Sequence, residues 1–393
     1  MRDVRDDFPI LSRLIDDRPL VYLDSAATSL KPQVVIDAVT NFYTHQTSNV
    51  HRAMHLMAEE STRDYENARK SIARFFNADE HEVVFTHGTT EAINLVRRCL
   101  PRVERVVTTV MEHHSNYLPW ALDAGGAVVG VADDGTLDLD DLQRKLSNGA
   151  DLLAVCHVSN ALGMVNAIDQ IIDMAHRAGA MVLVDAAQSA PHRPVDVKAL
   201  GADFLACSAH KMLGPGGVGV LYGKSEHLEA MGPWLLGGDM IEQVHFDGYE
   251  VQPPPHRFEA GTPAIEAVIG WGAAIEYLSN LDMADVQRHD SELVAYALER
   301  LTQIDHVRIV GPTDPDRRCG SVSFQIEDLE AHGVARMLSN RSNIMVRSGF
   351  LCAQPLHEAL DLAPTVRASF HVYNRSDEID ALAENLEAIV ALI

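Results

Sequence analysis

Met181-Val182-Leu183-Val184-Asp185 and Phe204-Leu205-Ala206-Cys207-Ser208 are two apolar runs, each ending on a polar residue. Continuous apolar strands of this kind are buried on both faces, as in a mostly parallel sheet covered by helices. The pattern extends outward from there. Upstream, Val83 to Thr86 leads into a helical stretch from Thr89 to Leu100, and Val106 to Thr109 into one from Glu112 to Ala124. Leu152 to Val158 precedes a helical stretch from Ile168 to Ala178, and downstream Val218 to Tyr222 reads as a further strand. The alternation predicts an α/β domain, in which ligands bind beyond the carboxyl ends of the strands. Strand-end polar residues are therefore the ones to read.

Past the turn-forming Gln252-Pro253-Pro254-Pro255 the pattern changes. Helices are predicted over 265–280 and 285–302, strands over 321–326, 344–347 and 366–370, and an amphipathic helix from Asp377 onward. This divides the chain into a large domain, 17–275, and a smaller α+β domain, 276–393, with segment 1–16 packed on the smaller one.

The 393 residues include 32 basic and 56 acidic side chains, a formal charge of −24. That balance argues against a nucleic-acid partner, which calls for a broad basic surface. Hydrophobic residues at 47% and charged residues at 22% exclude disorder. No run approaches the ~18 apolar residues of a membrane span, and the charged start Met1-Arg2-Asp3-Val4-Arg5-Asp6-Asp7 is unlike a secretory signal. Five cysteines (99, 156, 207, 319 and 352), never paired as C-x-x-C, fit a reduced, cytoplasmic protein.

The strongest chemical signal is Ser208-Ala209-His210-Lys211, followed by Gly214-Pro215-Gly216-Gly217. A lysine at the end of an apolar strand is placed for desolvation, which lowers an amine's pKa and makes it a Schiff-base nucleophile. A solvated strand-terminal lysine has the same local sequence. Neither nucleotide fingerprint fits these glycines, because Val218 and Tyr222 occupy positions where a P-loop and a dinucleotide motif require glycine. Asp185 ends a core strand, where a buried carboxylate needs a partner such as a pyridinium nitrogen, or else caps the next turn. Thr86-His87-Gly88-Thr89-Thr90-Glu91 joins a strand to a helix, a context suited to phosphate and equally to an ordinary N-cap.

Met111-Glu112-His113-His114-Ser115-Asn116 opens another helix; its histidines are suited to stacking on a ring, capping or chelation. His51, His55 and Glu59 have helical i, i+4 spacing that zinc uses, but without an H-E-x-x-H core no metal is expected. Val346-Arg347-Ser348-Gly349-Phe350-Leu351-Cys352-Ala353 puts one cysteine in a loop beside an arginine, the setting of a reactive thiolate. Cys99, Cys156 and Cys207 read as small buried hydrophobes.

In this order the motifs resemble those of the cysteine desulfurases among the fold type I pyridoxal-phosphate enzymes, in the class V aminotransferase family. The likeness is to the group II, sulfur-mobilisation and selenocysteine-lyase type. It runs nearly end to end, from Phe8-Pro9-Ile10-Leu11, Tyr22-Leu23-Asp24-Ser25-Ala26-Ala27-Thr28 and Asn49-Val50-His51-Arg52 through the strand-end motifs. It continues through His157-Val158-Ser159-Asn160 and Glu259-Ala260-Gly261-Thr262-Pro263 to the cysteine loop and Val366-Arg367-Ala368-Ser369-Phe370.

The resemblance implies that Lys211 carries pyridoxal 5′-phosphate and shuttles the substrate Cα proton. Asp185 would face the pyridine nitrogen, Gln188 the phenolic oxygen, and His113 would stack on the ring and assist proton transfer. Thr90, Ser208 and His210, with Thr89 beside them, would hold the phosphate. Thr262 would reach it from a partner subunit, implying a homodimer. Asn160 and Arg367, with Arg347 nearby, would take the substrate carboxylate.

The implied reaction converts L-cysteine, or selenocysteine, to alanine, leaving a persulfide on Cys352 for a sulfur-acceptor protein. Cysteine-sulfinate activity, or an aminotransferase, epimerase or β-lyase not using Cys352, are the alternatives on the same scaffold. The chain departs from the group in two places. Phe350-Leu351 stand where relatives carry two histidines, and Ala264 follows Gly-Thr-Pro where Asn is usual. His332, near where some relatives meet a zinc-containing acceptor, reads as a solvated helix-start residue.

Overall fold

The computed structural model describes residues 2–392. Its centre is a seven-stranded sheet: β1 Val83–Thr86, β2 Val106–Thr109, β3 Ala127–Val129, β4 Leu152–Cys156, β5 Met181–Asp185, β6 Phe204–Ser208 and β7 Gly219–Gly223. The spatial order is β1-β7-β6-β5-β4-β2-β3. β7 runs antiparallel to both neighbours, and the other pairs are parallel. Every residue of β1, β2, β4, β6 and β7 is buried, the burial their unbroken apolar sequences predict. From β2 the chain steps outward to β3, then returns to β4 and proceeds the other way. Connections diverge there, which opens a crevice at the carboxyl ends.

A second sheet has β8 Val307–Val310, β9 Ser321–Ile326, β10 Arg347–Gly349 and β11 Thr365–Ser369, all antiparallel in the order β8-β9-β11-β10. Helices Met283–Leu301, Ala331–Ser342 and Ser376–Val390 cover it, and Leu298, Phe324, Leu338 and Leu382 belong to its own core. Asp24 bridges in parallel to Ser369 of β11, and the Ala26 C=O accepts from Gln188 Nε2 beyond β5, so the N-terminal region touches both parts. Phe8 lies edge-on to Tyr277 and Tyr373, and Arg5 is 2.9 Å from Glu378.

Helix Ile265–Leu281 packs across helix Leu56–Phe76 so closely that a Cβ on Gly272 would come 2.7 Å from that of Ala68. Beside this contact Arg69, 2% exposed, grips both oxygens of Glu259 at 2.8 Å, and Glu259 also accepts from the Phe85 N–H.

Three local expectations are corrected. The predicted helix from Glu112 to Ala124 is one α-turn, His114–Tyr117, followed by a wider π-type segment, Leu118–Asp123. Pro119 is the physical reason, since it supplies no N–H for the α pattern. The single strand predicted over 344–347 is two: Ile344–Met345 pairs in parallel with Val21–Tyr22, whereas β10 pairs with β11. His51 has a positive φ of 71° and lies ahead of the helix that His55 caps, so the two histidines share no helical face. Among the described residues no cluster of three or more His, Cys, Asp or Glu stands at metal-holding distance, and no helix is long and apolar enough to cross a membrane.

Candidate active site

A cleft of about 350 Å³ opens at the carboxyl ends of the sheet. It is lined by Asp185 at the end of β5 and Gln188 beyond it, Ser208 at the end of β6 and His210 and Lys211 beyond it, and Thr89 and Thr90 beyond β1. His113, Asn160, Arg347, Cys352 and Arg367 complete it. Thr262 is the exception: it is exposed and lines a separate depression with Phe85, His87 and Val218.

Lys211 ends a 3₁₀ turn, Ala209–Lys211, that leaves β6 at Ser208. The turn is fixed because the Ala209 C=O accepts from both the Met212 and Gly214 N–H groups. Burial lowers the Lys211 ammonium to about 8, against the opposing pull of Asp185. Asp185 is itself 5% exposed; burial raises its carboxyl, while the Ala187 N–H (2.9 Å to Oδ1) and Lys211 hold it down. Two opposite charges thus share a low-dielectric floor. Gln188 Nε2 donates to the Ala26 C=O at 2.9 Å, which orients its amide along one wall.

The opposite end is built for an anion. Helix Thr89–Cys99 begins there after Gly88, whose φ of 152° lies where glycine is favoured. Thr89 bonds to Ser208 through its N–H (2.8 Å) and its hydroxyl (2.7 Å), tying the helix start to β6. Thr90 Oγ1 is 2.6 Å from Ser115 Oγ. A helix N-terminus with four hydroxyls beside it favours a phosphate. His210 lines the same end; burial, then Lys211 and Lys31, lower its imidazole to about 4.

His113 caps the turn after β2, its Nδ1 accepting from the Ser115 N–H at 3.1 Å. Burial chiefly, with Lys211, His114 and Arg367 nearby, lowers it to about 4, so the ring is neutral at physiological pH. The preceding Glu112 is fully buried. It accepts from Thr109 Oγ1 (2.6 Å), Asn116 Nδ2 (2.6 Å) and the Cys156 N–H (3.0 Å), locking the His113 turn onto β4.

On the third wall Arg367, 3% exposed on β11, donates from Nη1 to the Asn160 C=O at 2.6 Å and lies 3.7 Å from Asp24 through Nη2. Its Nε is buried with no partner among the described residues. Burial lowers this guanidinium to about 10, against the pull of Asp24. Arg347 is exposed and pairs with Asp24 at 2.7 Å. Cys352 is exposed at the cleft's rim in the loop after β10. Of the pair preceding it, Phe350 lies edge-on to His357, and Leu351 packs toward the main core while also lining the cleft.

Asp24 and Glu112 hold much of this architecture, although the sequence assigns neither a site role. Both stand inside quoted motifs, but the partners that place them, Arg347 for Asp24 and Cys156 for Glu112, are distant in sequence. The cleft therefore combines a low-pKa amine beside a carboxylate, an anion cradle, a buried guanidinium and an accessible thiol. The Aminotransferase class-V family model matches residues 21–382. The chain belongs to that family.

Its relatives agree with the geometry. A probable cysteine desulfurase of Halalkalibacterium halodurans is 45% identical, with 98% of this chain and 97% of that protein covered. A cysteine desulfurase of Haloferax volcanii is 42% identical over 98% of this chain and 96% of its own. Among solved structures, the apo cysteine desulfurase of Thermococcus onnurineus is 41% identical with a TM-score of 0.94, covering 100% of this chain and 99% of that one. This family member thus shares the fold of those proteins, a fold type I α/β architecture, over its whole described length.

Proposed function

We propose that this class-V family member is a pyridoxal-phosphate-dependent cysteine desulfurase, converting L-cysteine to L-alanine and leaving the sulfur on Cys352. One observation carries the reading: the cleft that holds Lys211, Asp185 and Arg367 also opens to the Cys352 thiol. An aminotransferase, epimerase or β-lyase has no use for a thiol at that rim. The near full-length likeness to proteins named cysteine desulfurase supports the same conclusion.

The residues fit the cofactor. The buried Asp185 carboxylate has a single backbone donor, which leaves its charge suited to a protonated ring nitrogen. Thr89, Thr90, Ser208 and His210 form an anion cradle of phosphate type, with Thr262 offered to a second copy because its own cleft lies elsewhere. Gln188 would face the ring's oxygen, His113 its plane, and Lys211 would hold its aldehyde carbon. When bound, pyridoxal phosphate supplies a sink for the electron pair left at Cα once the proton is removed.

The protein's own groups do the rest. Lys211, with an ammonium near 8, releases and regains a proton at neutral pH and so serves the Cα proton. Arg367 and the Asn160 amide, which line one wall of the cleft, take the substrate carboxylate. Arg347, held by Asp24 at the rim, adds positive potential there. The Cys352 thiolate attacks the substrate sulfur; the S–S bond forms and the C–S bond breaks. The pair from that bond stays with carbon, which is protonated to alanine's methyl group. A homodimer and a sulfur-acceptor protein complete this reading. Selenocysteine, with the same carboxylate and amine, fits the site equally.

Mass spectrometry after incubation with cysteine tests the assignment. The expected result is one added sulfur on Cys352 with alanine released. Cys352→Ser is expected to keep the cofactor's yellow colour and lose alanine formation. Undiminished turnover in that variant overturns the nucleophile assignment.

A further inference from the structure

The Cys352 loop has an uncommon backbone. Leu351 and Cys352 have φ of 54° and 55°, two successive non-glycine residues in the left-handed region, following Gly349 at 116°. Side chains other than glycine resist that region because Cβ crowds the following carbonyl. Such a pair persists only where neighbouring groups hold it.

Two groups do so here, one on each residue's carbonyl. Asn160 Nδ2 donates to the Leu351 C=O at 2.6 Å, and the His114 N–H donates to the Cys352 C=O at 2.8 Å. Within the loop the Ala353 N–H closes a turn on the Phe350 C=O at 2.9 Å, and His114 Nε2 accepts from the Gln354 N–H at 3.3 Å. Asn160 is itself anchored: it is 7% exposed, and its C=O accepts from Arg367 Nη1 at 2.6 Å. An amide nitrogen carries two hydrogens, so tethering Leu351 leaves one for a carboxylate.

We infer that Asn160 is a positioning residue for Cys352: its side-chain amide pins the Leu351 carbonyl, and with it the left-handed pair that sets the thiol at the cleft's rim. This rests on the desulfurase reading only for its catalytic consequence; the tether is a property of the free protein. Asn160 then has two duties on one amide, toward the substrate carboxylate and toward the loop bearing the nucleophile. It also supplies a polar hold on a loop whose flanking Phe350 and Leu351 offer no hydrogen-bonding side chain.

Hydrogen–deuterium exchange on the cofactor-loaded protein, without substrate, tests the tether. Asn160→Asp keeps the side chain's size but removes the donor, and Asn160→Ala removes the group. Both are expected to speed exchange in a peptide spanning 350–354 and at His114 by at least tenfold, while a peptide over β4 (152–156) stays at the wild-type rate. With cysteine, kcat is expected to fall at least tenfold as well as KM rising. Unchanged loop exchange overturns the inference. So does an equal rise throughout β4, which signals general loosening, or a raised KM with kcat intact, which signals carboxylate binding alone. If exchange responds but the wild type releases no alanine from cysteine, the tether stands and the desulfurase reading falls.

Discussion

Replacing Glu112 by Gln separates charge from hydrogen bonding at the base of the His113 turn. Burial raises the Glu112 carboxyl from 4.5 to about 7, although Thr109, Asn116 and Cys156 all donate to it. An acid whose folded-state pKa is raised stabilises the protein most when protonated. That stability is fully present below about 4.5 and is lost as pH rises through about 7. With those two values, linkage gives a loss of roughly 2–3 kcal/mol between pH 5 and pH 8.

Glutamine has no such dependence. Its oxygen can still serve Thr109 and Cys156, but its NH₂ must face Asn116 Nδ2, which is fixed because Asn116 Oδ1 accepts from Trp120 Nε1 at 3.0 Å. That donor–donor clash costs about 1–3 kcal/mol at every pH. The charge term acts on the wild type only at alkaline pH, whereas the clash weighs on the variant at every pH. Glu112→Gln is therefore expected to be less stable than wild type at pH 5 and to match or overtake it at pH 8. Urea midpoints for both proteins at equal concentration and cofactor loading measure the difference, in which all other titrating groups cancel. Parallel stability curves from pH 5 to 8 would refute a buried, strained carboxylate at this position.

Arg69→Ala leaves Glu259 buried without its bidentate partner, and should cost about 3–5 kcal/mol, read as a lower thermal midpoint. Arg367→Lys loses the planar fork in a buried site and should lower kcat/KM for cysteine about ten- to a hundredfold. Arg347→Ala removes the exposed arginine of a pair and leaves Asp24 facing Arg367, and should change kcat/KM by less than about fivefold. His113, lowered to about 4 by burial, should stay neutral down to about pH 5. Its folded-state pKa lies below the unfolded one, so stability from this group is lost as pH falls below about 6.5. Nitrogen NMR shifts of the His113 ring that titrate near pH 6.5 would contradict this.

The strands of the large sheet were legible because their signal is local. Runs such as Leu152 to Cys156 are apolar at every position, and burial on both faces follows from that alone. The short strand Ala127–Val129 escaped notice because it lies at the sheet's edge, partly exposed, between turns. The helix expected over Glu112 to Ala124 keeps only one α-turn, because helical periodicity says nothing of how Pro119 redirects hydrogen bonds.

Reading the chain alone nominates the residues expected to carry chemistry: an amine, a carboxylate, a helix start suited to an anion, an arginine and a loop thiol, each named by residue type and local context. Those are properties of short segments, set by side-chain chemistry and by burial pattern. Only the tertiary structure decided how they combine. Strand order brings the ends of β1, β4, β5 and β6 to one cleft. Asp24 meets Arg347 across the chain, and Asn160 meets the Leu351 carbonyl. A backbone carbonyl leaves no trace in sequence as a hydrogen-bond partner, and a left-handed pair such as Leu351-Cys352 is stable only against neighbours the fold supplies.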